Sequence, residues 1–134
     1  MDLTSNEENK NLIQAAESAL QSALSTISLN AELREIGSSI EKEFKAKGFV
    51  PIQNLSGHSI DKYDLHAGIT IPNYNNSQQK KLSSGVYAIE PFSTSGLGLV
   101  KDGKPSGIYH LQKAGNVRDT FAREVLQFVE EEYQ

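Results

Sequence analysis

The sequence contains no cysteine, which excludes disulfides, thiolate nucleophiles and thiolate zinc sites and leaves His, Asp and Glu as the strong metal donors. No apolar run approaches the roughly 20 residues that cross a bilayer, and the acidic, polar start is unlike a signal peptide. A soluble, cytoplasmic chain with no membrane partner is expected. A basic stripe is missing as well: 13 Lys and Arg are set against 17 Asp and Glu, the formal net charge is -4, and Lys80 and Lys81 are the only adjacent cations. Nucleic acid, which is bound by releasing counterions to a cationic surface, is therefore not an expected partner. No Gly-x-Ser-x-Gly elbow places a serine beside a base, and Gly96-Leu97-Gly98 lacks the third spaced glycine of a dinucleotide loop.

What remains is 134 residues, 37% hydrophobic and 22% charged, enough for one ordered domain. Ser5-Asn6-Glu7-Glu8 fits a capping box, and Leu12, Ala15, Ala16, Ala19, Leu20, Ala23, Leu24 and Ile27 recur at helical spacing behind it. Asn30 is the expected cap of a second helix with Leu33, Ile36, Gly37, Ile40 and Phe44 on one face, stopped at Gly48. From Val50 to Ile71, apolar stretches broken by Gly, Asn, Ser and Asp predict short strands and turns, and Asn73 to Lys81 reads as a polar surface loop. Val86-Tyr87-Ala88-Ile89 reads as a buried strand that delivers Glu90 at its end. A strand and tight turn are expected around Gly96 to Gly103. A last helix, capped by Asn116, carries Val117, Phe121, Val125, Phe128 and Val129 on one face.

The residues that could carry chemistry are His58, His66 and Glu90. Spacing alone leaves two readings open. In the plainer one, the histidines are partly buried hydrogen-bonding groups and Glu90 is an exposed strand end. In the other, two imidazoles and a carboxylate form an open single-metal site.

Two longer blocks go further. Pro51-Ile52-Gln53-Asn54-Leu55-Ser56-Gly57-His58-Ser59-Ile60, continued by DKYDLHAGITIPN to Asn73, resembles the central motif of type 2 methionine aminopeptidases. Val86-Tyr87-Ala88-Ile89-Glu90-Pro91-Phe92 with Ser93-Thr94 resembles that family's next motif at the expected distance, in its archaeal or eukaryotic form. The resemblance implies an α+β pita-bread fold, of which this chain is mainly the second half: a curved antiparallel sheet with flanking helices. It divides the chain into residues 1–108, a partial catalytic domain, and residues 109–134, the start of a type 2 helical insertion.

The same resemblance makes His58 and Glu90 metal ligands and His66 the imidazole that contacts substrate near the scissile carbonyl; Leu65 and Ile108 fall where the family lines the pocket for the methionine side chain. It implies two divalent ions, commonly cobalt, manganese or iron, which activate water to remove the initiator methionine from nascent polypeptides. Of the five metal-binding side chains that the family uses, two aspartates, a histidine and two glutamates, only the histidine and one glutamate have counterparts here. Asp2 falls too close to the first helix to be one of the aspartates, and the bridging glutamate belongs beyond Gln134. The expectation is a fragment cut at both ends, with Met1 an artificial start, inactive alone, binding little or no metal, and prone to self-association through exposed sheet edges. The competing expectation is a non-catalytic pita-bread relative that binds proteins or RNA.

Overall fold

The computed structural model describes residues 4–133. Met1, Asp2 and Gln134, which figured in the expectations above, lie outside the described residues. The chain divides into two units, Met1–Lys101 and Asp102–Gln134.

The first unit opens with two helices, α1 (Glu7–Thr26) and α2 (Leu33–Ala46), packed against each other. Alanines at 15, 19 and 23 are fully buried, and their small side chains let α1 approach Leu33, Ile36, Ile40 and Phe44 of α2. Leu12, Ala16 and Ile27 extend the same face, whereas Leu24 is half exposed at its margin.

The caps differ from the sequence expectation. Asn6, not Ser5, caps α1, its Oδ1 accepting from the Glu8 amide at 2.8 Å. Ser5 adopts a positive φ of 57°, outside the extended geometry that a cap needs. Asn30 does not cap α2 but turns the chain in the left-handed region at φ 72°, a conformation that asparagine tolerates. Glu32 takes the cap, and a reciprocal box forms as the Glu32 amide donates to Glu35 Oε2 at 3.0 Å. The polar segment after residue 73 finishes the job: the carbonyls of Lys80 and Gln78 accept from the otherwise unpaired amides of Leu33 and Arg34. Gly48 ends the helix region at φ 80°, as expected.

Five short strands follow: β1 (Val50–Pro51), β2 (Ser56–Ile60), β3 (Thr70–Pro72), β4 (Val86–Ala88) and β5 (Ser93–Thr94). β1 and β5 form one antiparallel pair; β3, β2 and β4 form a second antiparallel sheet in that order, with His58 opposite both Thr70 and Ala88. Ile71 is buried in the core cluster, and Ile69, Tyr87 and Ile89 pack against it, so one face of this sheet covers the helices. β4 is not the fully buried strand expected. It lies at an edge, and Val86 is 65% exposed on the uncovered side.

Two close approaches fix how these layers meet. A side chain at Gly37 would collide with the Tyr74 carbonyl, so α2 touches the end of β3 through bare backbone. Glu41, one turn on, accepts from the Asn75 amide at 3.0 Å and pairs with Lys45 at 2.6 Å. Burial pushes the Glu41 carboxyl upward, but the Asn75 amide and Lys45 outweigh it and hold the group below the ordinary carboxylate range.

In the second unit, α3 spans Thr120–Glu132 and is capped by Asp119, whose Oδ1 accepts from the Ala122 amide at 2.8 Å. Asn116 and Val117, expected at its start, precede it, because the nearer aspartate supplies the acceptor. None of the side chains of α3 is buried, and Phe121, Val125 and Phe128 are exposed.

Candidate functional site

Strand alternation gives β2 two occupations. Gly57 faces Ile71 and Ser59 faces Tyr87, both partners on the helix side, while His58 between them faces Thr70 and Ala88 on the open side. His58 is nonetheless nearly buried, with its side chain 10% exposed. Its Nδ1 lies 3.3 Å from the Ser59 carbonyl, which can only accept. In the neutral ring the hydrogen therefore sits on Nδ1 and the Nε2 lone pair is free. That nitrogen points toward Glu90, with 3.9 Å between Nε2 and Oε2, too far for a direct hydrogen bond.

Glu90 lies two residues past the end of β4. The ladder holds Ala88 against His58, and Gly57 lets the continuing backbone cross close by: a side chain there would meet the Ala88 carbonyl and come within 3.2 Å of the Glu90 amide. Further on, the Ile52 amide donates to the Phe92 carbonyl at 2.9 Å and the Phe92 amide donates to Asn73 Oδ1 at 3.0 Å. Glu90 is thus held from both sides while its carboxylate stays 40% exposed.

His66 reaches the same place from the connection between β2 and β3. Asp61 and Asp64 exchange backbone hydrogen bonds, and Asp64 Oδ1 accepts from the His66 amide at 3.1 Å. The Ala67 amide donates to the Ser59 carbonyl and the Ile69 amide to Ser59 Oγ, which fold the loop back along β2. The His66 ring centroid comes to 4.2 Å from that of His58, tilted by 58°. The fold therefore brings His58, His66 and Glu90 together. Leu65 is exposed beside His66, and Ile108 is exposed within the second unit.

The donors fit a metal as part of a set. Two ligands about 2.1 Å from one tetrahedral ion stand about 3.4 Å apart, and a small rotation of the half-exposed Glu90 side chain would bring the 3.9 Å pair to that spacing. Yet among the described residues no group of three or more His, Asp or Glu side chains is placed to hold an ion. Two donors do not enclose one divalent cation, and a two-ion site requires more carboxylates still.

Sequence reasoning missed Asn73, assigned above to a surface loop. It is fully buried, and its side chain bonds to two separate segments, Leu55 and Phe92. The available signal was its place directly after the apolar Ile71-Pro72, where a strand ends rather than a loop begins.

Residues 3–124 match metallopeptidase family M24. The chain is 45% identical over 129 residues to a methionine aminopeptidase of Pyrococcus abyssi, a match covering 95% of this chain and 44% of that relative. It is 44% identical over 125 residues to the methionine aminopeptidase of Pyrococcus horikoshii, covering 92% and 42%. The chain thus spans less than half the length of these curated relatives. Among solved structures, a methionine aminopeptidase from Thermotoga maritima superposes with a TM-score of 0.66 at 27% identity, over 74% of this chain and 40% of that one. One from Rickettsia prowazekii gives 0.67 at 24% identity, over 76% and 42%, a likeness of fold. The mixed helical and antiparallel architecture is that of the pita-bread fold. Among the described residues, no helix is long and apolar enough to cross a membrane.

Proposed function

Because this chain belongs to metallopeptidase family M24, we propose that it is the part of a type 2 methionine aminopeptidase that presents His58 and Glu90 to divalent metal ions and His66 to the substrate. The observation that carries this reading is the convergence of the three side chains, with the Nε2 of His58 left free and directed at Glu90 across 3.9 Å. When bound, divalent ions such as cobalt, manganese or iron would polarise the scissile carbonyl and lower the pKa of water.

The remaining work falls to the protein. Ser59, through its carbonyl, fixes the His58 ring with Nε2 directed at Glu90, where the two would hold an ion. His66, exposed and with its backbone amide held by Asp64, donates a hydrogen bond to the oxygen on which charge develops. Leu65, exposed beside His66, contacts the methionine side chain of the substrate, the amino terminus of a nascent polypeptide. Residues 1–108 serve as part of the catalytic domain and residues 109–134 begin a helical insertion.

The donor set of the described residues is incomplete, so the 134-residue chain alone binds divalent ions weakly and releases no methionine. The uncovered edges of β3 and β4 favour self-association. Joined to the segments that supply the missing carboxylates in relatives, it should cleave a Met-Gly peptide in a metal-dependent way, and His58→Ala or Glu90→Gln should abolish cleavage. Metal-dependent release by the chain alone would overturn the expected inactivity; full activity of both variants in the joined protein would overturn the site.

A further inference from the structure

We infer that Asn73 is a positioning residue that sets the separation between His58 and Glu90. The inference rests on the reading of those two side chains as donors to one ion. Three stretches of chain must be held in register for the pair to form: the start of β2, which carries His58; the end of β3, which pairs with β2; and the segment past β4, which carries Glu90. The ladder between β2 and β4 ends at Ala88, so regular pairing does not reach Glu90. Asn73 supplies the connection. It follows β3 directly and is 0% exposed. Its Nδ2 donates to the Leu55 carbonyl at 2.9 Å, one residue before β2, and its Oδ1 accepts from the Phe92 amide at 3.0 Å, two residues past Glu90.

A buried amide with both ends engaged on separate segments cannot shift one without straining the other. With Gly57 admitting the Glu90 backbone on one side and Asn73 holding Phe92 on the other, the backbone that carries Glu90 is confined beside His58. Asn73 itself touches neither side chain of the pair. Its effect is on geometry, and it is separable from a general contribution to stability.

The test compares three variants of the 134-residue chain: Asn73→Ala, which removes both bonds; Asn73→Asp, which keeps an acceptor for the Phe92 amide; and Ile40→Ala, which destabilises the helix layer without touching the clamp. Two quantities are read for each, the separation of His58 Nε2 and Glu90 Oε2 from a determined structure and the affinity for zinc alone from calorimetry. Asn73→Ala should open the separation beyond about 5 Å, outside the reach of a shared ion, and weaken zinc binding at least tenfold. Asn73→Asp, which leaves the Phe92 amide its acceptor but loses the bond to Leu55, should open the separation less than Asn73→Ala, and Ile40→Ala should change neither quantity at temperatures where it remains folded.

An unchanged separation in Asn73→Ala, or an equal opening in Ile40→Ala, would overturn the inference. Absence of zinc binding in the wild-type chain, with the separation still dependent on Asn73, would support the positioning role, and the functional reading would then stand or fall on Glu90→Gln in the joined protein.

Discussion

The two faces of the three-stranded sheet carry opposite kinds of structure. Behind it, α1 and α2 bury Leu33, Ile36, Ile40 and Phe44 almost completely in an apolar cluster. In front, the same strands expose Val86 and hold His58 nearly buried, and the segment past β4 leaves Glu90 half exposed. One strand, β2, serves both, because its period of two sends Gly57 and Ser59 one way and His58 the other. Stability resides behind the sheet and the proposed metal donors in front, so substitutions should separate the two.

The sharpest break of that division lies in the helix layer. Phe44→Ala removes a fully buried ring and should cost about 3 to 5 kcal/mol, seen as a lower midpoint in denaturant unfolding. Gly57→Ala sits on the boundary. Its new methyl would strike the Ala88 carbonyl, and the forced backbone shift should cost about 1 to 3 kcal/mol while moving Glu90 away from His58, so thermal unfolding and metal affinity should both change. Glu90→Gln should change affinity alone, with stability within about 0.5 kcal/mol of wild type. Val125→Ser, on an exposed face of α3, should alter unfolding by no more than about 0.5 kcal/mol.

A pH effect belongs to the rear layer. The folded-state pKa of Glu41 lies below its unfolded value, so as pH falls the unfolded chain takes up a proton first. The stability that Glu41 contributes is complete above the ordinary carboxylate range and is lost as pH drops through the depressed folded pKa. Glu41→Gln should flatten that part of the stability profile, measured by denaturant midpoints at successive acidic pH values. An unchanged slope would remove Glu41 from the attachment of the Asn75 loop to α2.

The helix layer was largely legible in the sequence. Apolar side chains at 3.6-residue spacing locate α1 and α2 because burial of a helix face demands that pattern, and Gly48 marks the stop through its left-handed backbone. The caps were less legible: Asn6, Glu32 and Asp119 stand within a few residues of other plausible acceptors, and geometry decides among them. The face carrying His58, His66 and Glu90 gave no periodic signal. Its order comes from polar bonds between distant segments, such as Asn54 gripping both main-chain groups of Val100 and Asn73 joining Leu55 to Phe92. An asparagine in such a role looks like loop composition until its partners are known. The exposed α3 face shows the converse, since an amphipathic pattern predicts a helix without determining what covers it.

The most direct measurement of the division between stability and site is a cobalt titration of the wild-type chain and Glu90→Gln, followed by nuclear magnetic resonance with thermal unfolding recorded on the same samples. Paramagnetic perturbation centred on His58, Glu90 and their neighbours in β2 and β4, weakened at least tenfold in Glu90→Gln with unfolding unchanged, is the predicted result. Cobalt perturbation elsewhere on the chain, or equal affinity in both proteins, would contradict it.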